Sequence, residues 1–345
     1  MMPRTIDWMD GRIVVVDQTR LPSLEMLALR TPDELVDAIR RLVVRGAPAL
    51  GVAGALGVAL CARQPGATGP GVRARAARIA EARPTAANLA WGVRTALAAL
   101  PDALPPDAVL ATAFPDVPAA VLATALGVRD DDIAACHAIG SRAAGWLRER
   151  HGEHPLRLLT HCNAGALACV EWGTALGVVR SLDAVGAVER VYVDETRPLL
   201  QGARITAFEL AHERIPYRVI VDGAGPSAIA RGLVDAVVVG ADRIAANGDV
   251  ANKIGTYPLA LAAARAGVPF VVAAPESTVD AATATGRDIV IEDRGADEVL
   301  CFGGRRSAPP GGTAWNPAFD VTPSDLVSAV VTERRVWHPC AQSSA

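Results

Sequence analysis

The chain has 345 residues, 51% apolar and 21% charged, with a formal net charge of −3 and 4% aromatic residues. That length suits two domains better than one core, and the apolar fraction excludes a disordered chain. The small net charge and scarce aromatics argue against nucleic acid or an anionic membrane as partner, and the apolar stretch from Ala47 falls short of the ~18–20 residues of a membrane span.

The opening MMPRTIDWMDGRIVVVD places acidic residues where a signal peptide needs an apolar block, so a cytoplasmic protein is expected. A hairpin is predicted around Ile13 to Asp17. Thr31-Pro32-Asp33-Glu34 then reads as a helix start, with Thr31 as N-cap, Pro32 at the first position and Glu34 completing a capping box. This helix should end near Val44, because Arg45-Gly46-Ala47-Pro48 breaks it and begins another. The small residues after Ala47 suit a closely packed core helix. From Leu97 to Val128 the Ala/Pro-rich sequence predicts short helices and connectors, followed by a helix over about Asp130–Glu149. These elements predict a mainly helical N-terminal domain with a short β-hairpin, residues 1–150.

Beyond residue 151 the pattern changes. Apolar, β-branched runs recur at Leu156–Thr160, Val191–Val193, Arg218–Val221, Ala236–Val239, Phe270–Val272 and Ile289–Ile291, separated by helical stretches such as Gly165–Arg180, Gly202–Glu213 and Pro258–Ala266. Alternating β and α segments of this length predict a Rossmann-like, doubly wound parallel-sheet C-terminal domain, residues 151–345. No GxGxxG follows its first strand, so the fold brings no dinucleotide with it.

In such a sheet, ligands bind at the carboxyl ends of the strands. The first strand ends in Thr160-His161-Cys162-Asn163, the second in Asp194-Glu195-Thr196-Arg197, the third in Asp222 and the fourth in Gly240-Ala241-Asp242-Arg243. Cys162 therefore stands where a ligand would. A helix beginning about Ala164 would lower the pKa of its thiol and make it a base or nucleophile; a small residue packed at a turn is the plainer reading. Asp242 follows an apolar run that would raise its pKa for general-acid work, or it is a turn-forming aspartate. His161 reads as a hydrogen-bonded structural histidine. The six cysteines (Cys61, Cys136, Cys162, Cys169, Cys301, Cys340) form no CxxC pair and no metal-like spacing with histidine, so no metal is expected and most should be buried thiols.

Three segments suit an anion. Arg45 with the backbone N–H groups of Gly46 and Ala47 opens a helix, Asn252-Lys253 precedes another, and Arg83-Pro84-Thr85 offers a second guanidinium. Without a GxxxxGK[ST] motif they favour a small phosphorylated ligand over a P-loop nucleotide.

These same segments carry a resemblance. RGAPA from Arg45, RPTAANLAW from Arg83, THCNAGALA from Thr160, DETRPLLQGAR from Asp194, GADRI from Gly240, NGDVANKIGT from Asn247 and NPAFDVTP from Asn316 occur in order along nearly the whole chain. Together they resemble the S-methyl-5-thioribose-1-phosphate isomerase family, the aldose–ketose isomerases of methionine salvage. The resemblance implies a helical domain followed by a Rossmann-like one, a homodimer and no cofactor. It implies catalytic positions at Cys162 and Asp242, and substrate-binding positions at Arg45, Gly46, Ala47, Arg83, Gln201, Asn252 and Lys253. The Ala/Pro-rich segment before Val128 and the loop from Gly303 depart from the family pattern. Two alternatives remain: an isomerase of 5-deoxyribose 1-phosphate or ribose 1,5-bisphosphate, and a non-catalytic regulatory subunit of the translation-initiation exchange factor, which shares the fold.

Overall fold

The structure, a computed structural model, describes residues 2–83 and 86–339. It forms two compact units: the first comprises residues up to His137 together with Gly165–Gly173, the second Ala138–Ala164 and the chain from Thr174 onward. No helix among the described residues is long and apolar enough to cross a membrane.

The first unit opens with three antiparallel strands, β1 (Ile6–Met9), β2 (Arg12–Val16) and β3 (Met26–Leu29), one strand more than the predicted hairpin. Helix α1 (Pro32–Arg40) begins with the expected capping box. The Thr31 hydroxyl accepts from the Glu34 N–H, and the Glu34 carboxylate accepts from the Thr31 N–H. Helix α2 (Ala47–Ala62) is buried on every side from Ala49 onward. It is followed by α3 (Gly69–Ala80) and α4 (Ala87–Leu97). A Cβ on Gly92 of α4 would collide with the Gly51 carbonyl of α2, so the small residues let two helix backbones touch. After the single turn α5 (Leu110–Ala113), helix α6 runs unbroken over Asp116–His151. The connectors expected up to Val128 thus give way to helix at Asp116. Pro118 lies in the first turn, where its missing N–H has no intrahelical partner to lose.

The second unit takes the rest of α6 and begins its sheet with β4 (Leu156–Thr160). There follow α7 (Ala175–Asp183), β5 (Val188–Asp194), α8 (Ala207–Glu213), β6 (Tyr217–Ile220), α9 (Ala224–Ala230) and β7 (Ala236–Val239). Next come β8 (Arg243–Ala245), β9 (Val250–Lys253), α10 (Thr256–Ala266), β10 (Phe270–Ala273) and β11 (Val279–Asp280). The chain ends with α11 (Asp297–Leu300), β12 (Cys301–Phe302), β13 (Arg305–Arg306), β14 (Phe319–Thr322), β15 (Ala329–Val331) and β16 (Val336–Trp337).

The main sheet has the order β16-β15-β10-β7-β4-β5-β6, parallel except for the β16 edge. Counted along the chain, its six parallel strands lie in the doubly wound order 3-2-1-4-5-6, with the switch point between β4 and β7. Successive side chains point to opposite faces. Leu158, Val191, Val193, Ala236, Val238, Val271 and Ala273 share one buried cluster with residues of α6 and α7, whereas Leu159, Tyr192, Val237, Val239, Phe270 and Val272 share another with residues of α9 and α10. Both faces are therefore covered, and the carboxyl ends of the strands are left to carry polar chemistry.

The predicted strand at Ile289–Ile291 is absent, and β15 takes the last parallel position. Ile289 joins a small cluster with Ala245 and Ala251 while Val290 is 80% exposed: the alternation is strand-like, but the segment belongs to none of the sheets. A second sheet, β11-β8-β9-β14, stands beyond β7.

Candidate active site

Cys162 occupies the turn after β4 with a left-handed backbone, φ 62°, and a half-buried free thiol. Its N–H donates to Thr196 Oγ1 at 2.9 Å, and its carbonyl accepts from Thr206 Oγ1 at 2.6 Å. The helix expected from Ala164 does not form; one 3-10 turn, Ala166–Ala168, follows, and α7 starts only at Ala175. The carbonyls that such a helix would use are engaged elsewhere. Ala166 accepts from Thr5 Oγ1, Leu167 from Gln18 Nε2 and Val170 from the Thr5 N–H. The helix field expected at the thiol is thus missing.

The next residue, Asn163, donates to Thr206 Oγ1 and, at 2.8 Å, to Glu209 Oε1. Glu209 is fully buried and pairs with Arg180 at 2.8 Å, which also holds Glu213. Nothing in the spacing connects Cys162 with Thr206, 44 positions away, so these supports escape a reading of the sequence.

His161 and Asp194 have side chains only 0% and 1% exposed. His161 Nδ1 lies 2.9 Å from Asp194 Oδ2, and Nε2 lies 2.8 Å from the Ile254 carbonyl. Burial alone would lower the imidazole pKa. The Asp194 hydrogen bond and charge, with the Ile254 carbonyl, outweigh it and the pKa is raised. Asp194 is pushed up chiefly by burial. Both ring nitrogens face acceptors, so the protonated ring is the form that satisfies both. Asp222 accepts the N–H groups of Thr196 and Arg197, each at 2.7 Å. His161, Asp194 and Asp222 could present metal-ligand atoms to one another, but these hydrogen bonds already occupy both imidazole nitrogens and both Asp222 oxygens.

Asp242 follows β7, the neighbour of β4 across the switch point. A Cβ on Gly240 would stand 2.7 Å from the Ala164 Cβ, so this strand end closes directly on the Cys162 turn. The Asp242 N–H donates to the Ala251 carbonyl at 2.9 Å, which sets Asp242 beside β9 just before Asn252 and Lys253. Asn252 is buried and donates to Thr256 Oγ1. Lys253 is 6% exposed, its ammonium 5.3 Å from the Phe319 ring, and it makes no ion pair among the described residues. Its charge is felt by the Glu298 carboxylate, which, against the effect of burial, it helps Arg294 to hold below the ordinary carboxylate range. Gln201, 7% exposed, opens the π-helical turn Gly202–Thr206, and its Oε1 has no hydrogen-bond partner among the described residues.

Arg45, Gly46, Ala47 and Arg83 belong to the first unit. Arg45 Nε donates to Gln18 Oε1 at 3.1 Å. Gly46, φ 94°, precedes the first turn of α2, which carries no acidic residue and no side-chain cap, as an anion-binding helix start requires. A Cβ on Gly46 would collide with Ala168. Arg83 is half-buried ahead of α4; Pro84 and Thr85, and likewise Cys340, lie outside the described residues.

The first unit also gathers Asp132, Cys136 and Cys169, whose potential ligand atoms lie within 4.8 Å of one another. The Cys136 thiol is pushed well up by its hydrogen bond with Cys169 and by burial. Burial pushes Asp132 up to about 7, although the Val170 N–H donates to it at 2.8 Å. Below neutral pH the Asp132 carboxyl is therefore held mainly in its neutral form. A carboxyl raised from 3.8 to about 7 gives stability present in full below its unfolded pKa and lost as pH rises through 7. Asp132→Asn should therefore flatten the fall in urea midpoint between pH 4 and 8 and stabilise the protein at pH 8, by at most ~4 kcal/mol. An unchanged pH slope with a lower midpoint would contradict this assignment.

The sequence profile of the initiation factor 2 subunit family matches residues 43–339. The probable bifunctional methylthioribose-1-phosphate isomerase/methylthioribulose-1-phosphate dehydratase of Nocardia farcinica is 52% identical over 97% of this chain, which spans 59% of that longer protein. The methylthioribose-1-phosphate isomerase of Anaeromyxobacter sp. (strain K) is 53% identical over 96% of this chain and 93% of its own length. Among solved structures, 5-methylthioribose 1-phosphate isomerase from Pyrococcus horikoshii OT3 is 36% identical with TM-score 0.87, covering 99% of this chain and 94% of that one. Translation initiation factor eIF-2B, subunit delta, from A. fulgidus is 40% identical with TM-score 0.85, covering 99% and 98%.

Proposed function

Because the chain belongs to the initiation factor 2 subunit family, and its 53%-identical relative is a methylthioribose-1-phosphate isomerase, we propose that it converts S-methyl-5-thioribose 1-phosphate to S-methyl-5-thioribulose 1-phosphate in methionine salvage. What supports this reading is that the strand end at Gly240 closes on the Cys162 turn, while Asp242 is hydrogen-bonded through its N–H to β9 just before Asn252 and Lys253. Aldose–ketose isomerisation is redox-neutral, C1 being reduced as C2 is oxidised, so it requires no cofactor.

In a sugar 1-phosphate the anomeric oxygen is esterified, and the ring cannot open to a free aldehyde. In our reading Asp242, protonated, gives its proton to the ring oxygen as the C1–O bond breaks. The Cys162 thiolate takes the C2 proton, forming an enol phosphate, and returns a proton to C1. The proton leaving the C2 hydroxyl restores the Asp242 acid as the ketone forms. Arg45, Gly46, Ala47, Arg83, Gln201, Asn252 and Lys253 bind the substrate, the cations and backbone N–H groups serving its phosphate. The active form is a cytoplasmic homodimer, its catalytic pair carried by the Rossmann-like domain. Sedimentation of the purified chain tests the dimer.

Purified protein offered the 5-methylthio, 5-deoxy and 5-phospho forms of ribose 1-phosphate tests the function. The expected result is ketose formation with the methylthio sugar, the deoxy sugar following because it too is uncharged at C5, and little with the bisphosphate. Failure with all three would end the isomerase reading. Run in deuterated water, the enol route places solvent deuterium at C1; full retention of the C2 hydrogen there would replace that route with a hydride shift.

A further inference from the structure

The N-cap of α10 is Gly255, shortly after Lys253, and it has no side chain to meet the free N–H groups of the first turn. Asp320, on β14, supplies the cap instead. Its Oδ2 accepts from the Gly255 N–H at 2.7 Å and its Oδ1 from the Tyr257 N–H at 3.2 Å. We propose that Asp320 is a positioning residue for the substrate phosphate: by capping α10 from β14 it fixes the Asn252–Lys253 end of β9. The proposal rests on the substrate-binding role given to those two residues above.

The cap and the binding residues form one hydrogen-bonded unit. β14 lies antiparallel to β9, with Asp320 opposite Asn252 and Phe319 opposite Lys253. The Ala318 carbonyl accepts from the Ile254 N–H at 3.1 Å, and the Phe319 ring lies 5.3 Å from the Lys253 ammonium. From the helix side, Thr256 Oγ1 donates to the Lys253 carbonyl at 2.7 Å and accepts from Asn252 Nδ2 at 2.9 Å. Releasing the first turn of α10 is therefore felt at both binding side chains.

The cap has to come from another strand. Gly255 has φ 107°, and a Cβ there would stand 2.7 Å from the His161 imidazole Cε1, which leaves no room for a capping side chain at that position. With Asp320 on these N–H groups, the start of α10 is also closed to an anion, the place a phosphate takes at an open helix start. What this segment offers the phosphate is then the Lys253 ammonium and the Asn252 amide, and their placement is what the cap secures.

The test compares Asp320→Ala and Asp320→Asn with Leu182→Ala, a core truncation in the cluster on the other face of the main sheet. Each is measured for steady-state kinetics with the aldose 1-phosphate, for the Kd of inorganic phosphate by titration calorimetry, and for its melting temperature. Asp320→Ala should raise KM and the phosphate Kd together by about 10-fold, the order of one charge-assisted hydrogen bond, with kcat within about twofold of wild type. Asp320→Asn keeps one acceptor oxygen; it should raise both by less, and it gives the reading if Asp320→Ala does not fold. Leu182→Ala should lower the melting temperature and leave both constants in place. A folded Asp320 variant that keeps either constant at its wild-type value overturns the proposal, and so does a shift of equal size in Leu182→Ala. Phosphate binding needs no turnover. Inactivity toward every sugar phosphate with a shifted phosphate Kd removes the isomerase reading and leaves the role of Asp320 standing, whereas an active enzyme with both constants unshifted does the reverse. A wild type that binds neither phosphate nor any of the sugars ends both.

Discussion

Cys162→Ala and Asp242→Asn are each expected to fold and to lose about 10²- to 10⁴-fold in kcat, the range for removing a positioned proton-transfer group. Folding should survive because the turn at residue 162 is held through its backbone, by Thr196 and Thr206, and Asp242 meets β9 through its own N–H. Alanine and cysteine carry a similar penalty at φ 62°, so the left-handed turn does not discriminate between them. Neither variant removes the cations and N–H groups assigned to the phosphate, so KM should change far less than kcat. The check is steady-state kinetics beside a thermal melt. Near-normal kcat in either variant would remove that residue from the mechanism.

The largest stability loss is expected at Arg180→Met. Arg180 is the partner of Glu209, a fully buried carboxylate, and its side chain is 5% exposed. Removing the guanidinium strands a buried negative charge, a change that typically costs about 3–5 kcal/mol. Because Glu209 also accepts from Asn163, the damage should reach the residue next to Cys162. Adding Glu209→Gln should recover much of the loss by removing the stranded charge. Urea denaturation measures both; a single variant within ~1 kcal/mol of wild type would mean that the network is not a stabilising unit.

What the sequence makes legible follows from local causes. The Thr31 capping box is written within four residues, and the apolar runs of β4, β7 and β10 need only their own composition and flanking turns. The failures have distant causes. Gly165–Arg180 is composed like a helix throughout, yet Thr5 and Gln18, about 150 positions earlier, capture the carbonyls of its first half. Ile289–Ile291 alternates like a strand but has no sheet to join, and the short Ala329–Val331 does the pairing instead. Cys136 lies within the helix expected from Asp130, but its approach to Cys169 is a contact between separate segments that no spacing announces. At the site, the residue types at the strand ends could be read in order. The ring of His161, the Thr206 hydroxyl and the Glu209 carboxylate that hold them could not, because each is a contact across segments with no sequence spacing to announce it.

The most direct measurement is a crystal structure of Asp242→Asn with the aldose 1-phosphate bound. The account predicts the Cys162 sulfur within about 3–3.5 Å of the sugar's C2, and the residue-242 amide beside the ring oxygen. A sugar held with its C1–C2 bond out of reach of that sulfur would contradict it.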